Sequence, residues 1–235
     1  MALAIDATTP DLVQADNTCT TASFTAPANS LLVALCSCYT GSGATNTVSN
    51  SGTALTWTQR VNHQAGEDAG AYDDTVKIFT APAVSSVART VTLTTSGSGF
   101  TALQVLVFTG ADLTTPVGAT GEGHSTTANL TPNVYTSTVA NSRCVGIAAD
   151  ASSFNGSTTT DVGFTFGNFF PQSSGIAVYK AADTATPSST VTLNFDGTGA
   201  SRTWNWVAAE ILPVVPALPK PGLMLGQALN RSYYF

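Results

Sequence analysis

The second half of this 235-residue chain repeats the apolar rhythm of the first, and that repeat limits the possible folds more than any other feature. Val76-Lys77-Ile78-Phe79, followed by Ala81, returns 100 residues later as Ile176-Ala177-Val178-Tyr179, followed by Ala181. Thr90-Val91-Thr92-Leu93 returns at the same offset of 100 as Thr190-Val191-Thr192-Leu193. Ala28-Asn29-Ser30 and Ala140-Asn141-Ser142 each open an apolar run, and residues 103–108 and 204–209 end the two series at nearly the same offset. Chance produces one such match in a Thr-rich chain. Several in the same order indicate an internal duplication.

The repeated pieces read as strands. Residues 31–39 and 103–108 are short apolar runs, the pattern of a strand covered on both faces. Residues 56–61 and 90–94 alternate, which predicts that Val91 and Leu93 face a core. No window has a helical period, and the many Thr and Val residues favour strands. The expected fold is all-β: a jelly-roll-like two-sheet sandwich built from two sequence-related halves, about residues 25–112 and 138–213, with an extended C-terminal tail. Two small sandwiches or one interleaved jelly roll both satisfy the repeat. A single domain over residues 1–213 is preferred, because residues 111–129 read as a polar, Gly-containing connection and not as a linker. One larger sandwich also buries a greater share of its surface.

Residues 214–235 differ in kind. Pro213, Pro216, Pro219 and Pro221 favour an extended, polyproline-like path that cannot pair as a central strand. An apolar segment follows, and such a segment must lie against something. Read as an arm that docks on a neighbouring subunit or partner, its contact residues are Leu223, Met224, Leu225, Tyr233, Tyr234 and Phe235. Packing on its own domain is the alternative.

Composition excludes several functions. Only 9% of residues are charged, against about 25% in ordinary soluble domains. The net charge is −6, and the eight Lys and Arg residues are scattered singly, so the basic patch that nucleic-acid binding requires is missing. Low charge combined with 43% hydrophobic residues argues against disorder. No apolar run reaches the ~18 residues of a membrane helix. Residues 1–6 lack the basic and apolar regions of a secretory signal.

Candidate chemistry is sparse. His63 and His124 are the only possible imidazole bases, and neither has metal-ligand spacing with Cys19, Cys36, Cys38 or Cys144. The cysteines read as buried, reduced small hydrophobes. The carboxylates worth weighing for glycoside hydrolysis are Glu67, Asp68, Asp73, Asp74, Glu122 and Glu210; the four between Glu67 and Asp74 sit around glycines and could instead hold calcium, though their spacing matches no EF-hand, and a plain solvated loop is the simpler reading. Trp204, Trp206 and the phenylalanines at 164, 166, 169 and 170 would suit either a core or a glycan-binding face. No catalytic residue, metal or cofactor is expected.

The order of Leu55-Thr56-Trp57-Thr58, Val76-Lys77-Ile78-Phe79-Thr80-Ala81, Thr90-Val91-Thr92-Leu93, Val107-Phe108-Thr109-Gly110-Ala111 and Trp204-Asn205-Trp206-Val207-Ala208-Ala209-Glu210-Ile211-Leu212-Pro213 resembles a broad group of jelly-roll-like domains. These occur in structural proteins of tailed bacteriophages, including capsid decoration and minor tail proteins. The resemblance covers about residues 25–213 and implies a non-enzymatic virion structural protein, most simply a capsid decoration (cement) protein on the phage head. It also implies assembly in the host cytoplasm, contact with the major capsid protein or other virion subunits, and a homo-oligomer such as a trimer, without nucleic acid or membrane as partner. The group defines no catalytic residues. A tail-associated or cell-surface glycan-binding module, or a polysaccharide-degrading enzyme on the same sandwich, are the alternatives.

Overall fold

The computed structural model describes residues 2–39, 45–64, 74–97, 99–126, 130–150, 159–166, 174–195 and 204–215. In the first half lie β1 (Ala4–Ile5), β2 (Val13–Asp16), β3 (Thr18–Thr20), β4 (Phe24–Thr25), β5 (Ser30–Tyr39), β6 (Asn46–Asn50), β7 (Thr58–His63), β8 (Asp74–Ala83), β9 (Ala88–Arg89), β10 (Val91–Thr95) and β11 (Phe100–Thr109). The second half holds β12 (Val117–Ser125), β13 (Asn133–Thr136), β14 (Arg143–Asp150), β15 (Val162–Phe166), β16 (Ser174–Tyr179), β17 (Thr190–Thr192) and β18 (Trp204–Ile211). The described residues are all-β, and every named pairing is antiparallel.

The duplication is repeated in the topology. The large sheet of the first half runs β1-β11-β5-β8-β7, with β2 also on β11, and that of the second half runs β12-β18-β14-β16-β15. From β11 and β18 onward the two orders match strand for strand. Each large sheet carries a small one, β3-β10-β6 in the first half and β13-β17 in the second. Each half thus pairs a large sheet with a small one across its own interior. The two large sheets also pack against each other, β8 and β5 against β14 and β8 against β18.

Among the described residues, three apolar interiors result, separating four layers. Leu31, Val33 and Leu35 of β5 meet Val145 and Ile147 of β14 and Val207 and Ala209 of β18 in the middle interior. Leu32, Ala34, Cys36 and Cys38 point the other way, onto Cys19, Val91 and Leu93 of the first small sheet. On the far side, Cys144, Trp204 and Trp206 face Val134, Tyr135 and Val191. Successive side chains of a strand leave opposite faces, so a strand with an interior on each side is apolar on both faces, and a polar residue there, such as Gln104, is buried with hydrogen-bond partners, its amide donating to the Pro10 carbonyl at 3.0 Å. That is why residues 31–39 and 103–108 show no alternation. At the rim of the middle interior, the Asn205 amide donates to the Asp74 carbonyl across the two sheets at 2.7 Å.

The stretch 111–129, expected as a polar connection, instead contains β12, a nine-residue edge strand paired along β18. Its glycines hid it, because Gly is depleted in strands. Those glycines answer to close neighbours: a Cβ at Gly121 would lie 1.7 Å from the Val134 carbonyl oxygen, and one at Gly123 would lie 3.0 Å from the Trp206 ring.

Candidate functional site

The repeated Ala-Asn-Ser tripeptides build matching turns. Asn29 and Asn141 have φ of 61° and 60°, the left-handed region that Asn tolerates better than most residues. In each turn the following serine is fully buried. The Ser30 hydroxyl donates to the Pro27 carbonyl at 2.7 Å, and the Ser142 hydroxyl donates to the Val139 carbonyl at 3.2 Å. Each turn thus reverses the chain and starts a central strand, β5 or β14.

Both turns border clefts lined by Val214, near the last of the described residues. The Val214 N–H donates to the Gly110 carbonyl at 2.8 Å, and the Asp112 N–H to the Leu212 carbonyl at 2.9 Å. The ends of the two halves are thereby tied together. Gly110 has φ of 74°, and a Cβ there would lie 2.3 Å from the Ala2 carbonyl oxygen, so only glycine lets residue 2 pass so close.

Two clefts open on either side of Val214. The larger, about 480 Å³, is lined by Pro27, Ala28, Asn29, Ala111, Leu113 and Val214 among others. The smaller, about 380 Å³, is lined by Leu3, Ala140, Asn141, Pro213, Val214 and Val215 among others. Both volumes lie within the roughly 300–1,000 Å³ of ligand-sized sites. Three large apolar side chains are exposed among the described residues, and two of them are here: Val214 at 41% and Val215 at 76%.

Hydrogen-bonded carboxylates shape the cleft walls. Asp112 accepts from the N–H groups of Thr114 and Thr115 at 2.8 and 3.1 Å and from the Thr115 hydroxyl at 2.8 Å. Those bonds hold its carboxyl below the usual range and fix the loop that carries Leu113. Arg143 pairs with Asp183 at 2.6 Å and donates to the Leu3 carbonyl at 3.3 Å, joining the second half to the start of the first. Glu210 is fully buried. Its carboxylate accepts from the Thr138 N–H at 2.9 Å, the Thr138 hydroxyl at 2.7 Å, the Ala119 N–H at 2.9 Å and the Val139 N–H at 3.4 Å. Burial pushes this carboxyl up, but the donors outweigh burial and hold it below its ordinary value. Glu210 thereby anchors residues 138–139 at the start of the Asn141 turn.

The other sequence candidates are dispersed. Leu223, Met224, Leu225, Tyr233, Tyr234 and Phe235 lie outside the described residues, as do Glu67, Asp68, Asp73, Phe169 and Phe170. Asp74 and His63 are buried in the first large sheet, whereas Glu122 and His124 are exposed on β12. Trp204 and Trp206 are core residues facing the small sheet of the second half, and Phe166 fills the middle interior. All four cysteines are free and buried. Burial pushes the thiols of Cys19 and Cys144 up to about 11 and about 12. Among the described residues, no group of three or more His, Cys, Asp or Glu is gathered to hold a metal.

In sequence the Ala-Asn-Ser repeat marks only the duplication; the structure adds that in both copies a left-handed Asn precedes a buried Ser. No known protein family, curated protein or solved structure matches this chain.

Proposed function

We propose that this chain is a non-enzymatic virion structural protein that decorates a capsid and attaches through the segment that follows Val215. The observation that carries this reading is that Val214 and Val215 are exposed beside two apolar clefts and stand, in sequence, shortly ahead of an apolar segment. Two sandwiches fused through a common interior supply a rigid block, and a surface poor in charge has little repulsion to keep copies apart. Two carboxylates have structural work: Glu210 anchors a turn, and Asp161 joins Lys180 at 2.9 Å to the Asn194 N–H at 2.8 Å. On this reading the partners are the major capsid protein or other virion subunits, with several copies of the chain side by side.

The test compares the full chain with a full-length variant carrying Leu223→Asp, Leu225→Asp and Phe235→Asp. Immunogold labelling should place the native chain densely over particle heads, and the variant should fold but fail to bind particles. Label confined to tails, or undiminished binding by the variant, would overturn the reading. A glycan-binding face built on Trp204 and Trp206 is disfavoured, because both rings lie in the core.

A further inference from the structure

We infer that two copies of this chain join edge to edge through β12, each β12 pairing antiparallel with the other about Gly123. The inference goes beyond the attachment reading, because it concerns how copies meet and requires no particle.

Among the described residues, β12 is an open edge. It pairs with β18 on one side and ends the second large sheet on the other. β7 ends the first large sheet at the same rim, but it packs against both β12 and β18 and so lies beneath the space between them. β12 is therefore the outermost strand of this rim and overhangs the first half. An open edge carries unpaired N–H and C=O groups that template another strand, and proteins ordinarily blunt it with Lys, Pro or a bulge. β7 is blunted by an irregularity between Gln59 and Val61. In β12 the irregularity lies between Val117 and Thr120, and from Thr120 to Ser125 the register on β18 is unbroken, with no Lys, Arg or Pro.

Charge complementarity selects the occupant. Glu122 and His124 are both exposed and, two residues apart, share one face of the strand. Glu122 makes no hydrogen bond or ion pair among the described residues. Its cross-strand partner Val207 faces the middle interior, so both side chains project from the overhang toward the first half. Antiparallel pairing centred on Gly123 sets each Glu122 opposite the His124 of the other copy, which gives two complementary cross-strand pairs in one register. Centring on Glu122 or on His124 instead would set like residues opposite each other. The centre itself is two facing glycines, which leave the backbones free to approach. A strand paired with its own copy is an isologous contact, closed by a two-fold axis at two chains.

The experiment uses the purified full-length chain without particles. Sedimentation equilibrium of the native protein should show a dimer. Glu122→Lys sets lysine against histidine, and His124→Glu sets glutamate against glutamate, at both pairs of the interface. Each variant alone should associate at least about tenfold more weakly than the native chain. Mixing the two is the decisive arm. In a mixed pair the new lysine of one copy faces the new glutamate of the other, and a native Glu122–His124 pair remains, so association should return. The double variant E122K/H124E should likewise pair with itself. Both positions are exposed, and unchanged melting of each variant separates lost pairing from lost folding. A native monomer, single variants that associate as tightly as the native chain, or a mixture no tighter than its components would overturn the inference. Particle binding is not read in this experiment, so a negative result leaves the attachment reading standing, and failure of attachment leaves the edge pair standing.

Discussion

Asn29 and Asn141 hold the same left-handed backbone, at φ of 61° and 60°, each directly before the buried serine that opens a central strand. They are the point at which the duplicated sequence, the duplicated topology and the two clefts coincide. Alanine lacks the short polar side chain that eases this conformation, and L-residues there cost roughly 1–2 kcal/mol. Asn29→Ala and Asn141→Ala should each lower stability by about 1 kcal/mol, whereas Asn→Gly should stay within about 0.5 kcal/mol of the native chain. Urea denaturation of the four single variants checks this, and an alanine variant as stable as its glycine counterpart would refute it.

Glu210 makes the fold acid-sensitive in a defined window. Its carboxyl lies below its ordinary value of 4.5 in the folded chain, so the stability it contributes is fully present above that pH. The contribution is lost as pH falls through the folded value. Glu210→Gln should cost about 2 kcal/mol at pH 7, because an amide cannot accept from every donor around it. The gap to the native protein should narrow below pH 4.5. Melting curves from pH 3 to pH 7 would show convergence; parallel curves would contradict the assignment.

The glycines of β12 should differ sharply in tolerance. A Cβ at Gly121 overlaps the Val134 backbone carbonyl at 1.7 Å, and neither partner is the end of a flexible side chain. Gly121→Ala should therefore cost more than about 3 kcal/mol or prevent folding, by breaking the approach of β12 to β13. A Cβ at Gly123 meets only the Trp206 ring at 3.0–3.2 Å, so Gly123→Ala should cost about 1–2 kcal/mol. Comparing the soluble yield and denaturation midpoints of the two variants tests the ranking.

Cysteine labelling should report opening of the interiors. Burial holds the thiols of Cys19 and Cys144 at about 11 and about 12, and pushes those of Cys36 and Cys38 higher than an ordinary thiol. The thiolate is the nucleophile, so native protein at pH 8 should take up iodoacetamide only as fast as it unfolds. In denaturant all four cysteines should react. Rapid labelling of one site in the native state would place that cysteine outside the interior.

The sequence alone determined the strand class, the doubling and the central strands, because these depend on local period: alternation marks one buried face, and an unbroken apolar run marks two. Tertiary structure decided the rest. Gly118, Gly121 and Gly123 argue against a strand on propensity, and β12 exists because β18 and Val134 lie beside it. Glu210 ends an apolar run whereas Glu122 lies between glycines, but neither stretch names its partners; Glu210 is clamped by N–H groups some seventy to ninety positions away, and Glu122 faces solvent. The meeting of the two Asn turns at Val214 likewise arises only when the large sheets pack face to face. Side-chain period is a property of neighbours in the chain, whereas layer order, clamped charges and clefts are set by contacts between distant segments, which no window of sequence contains.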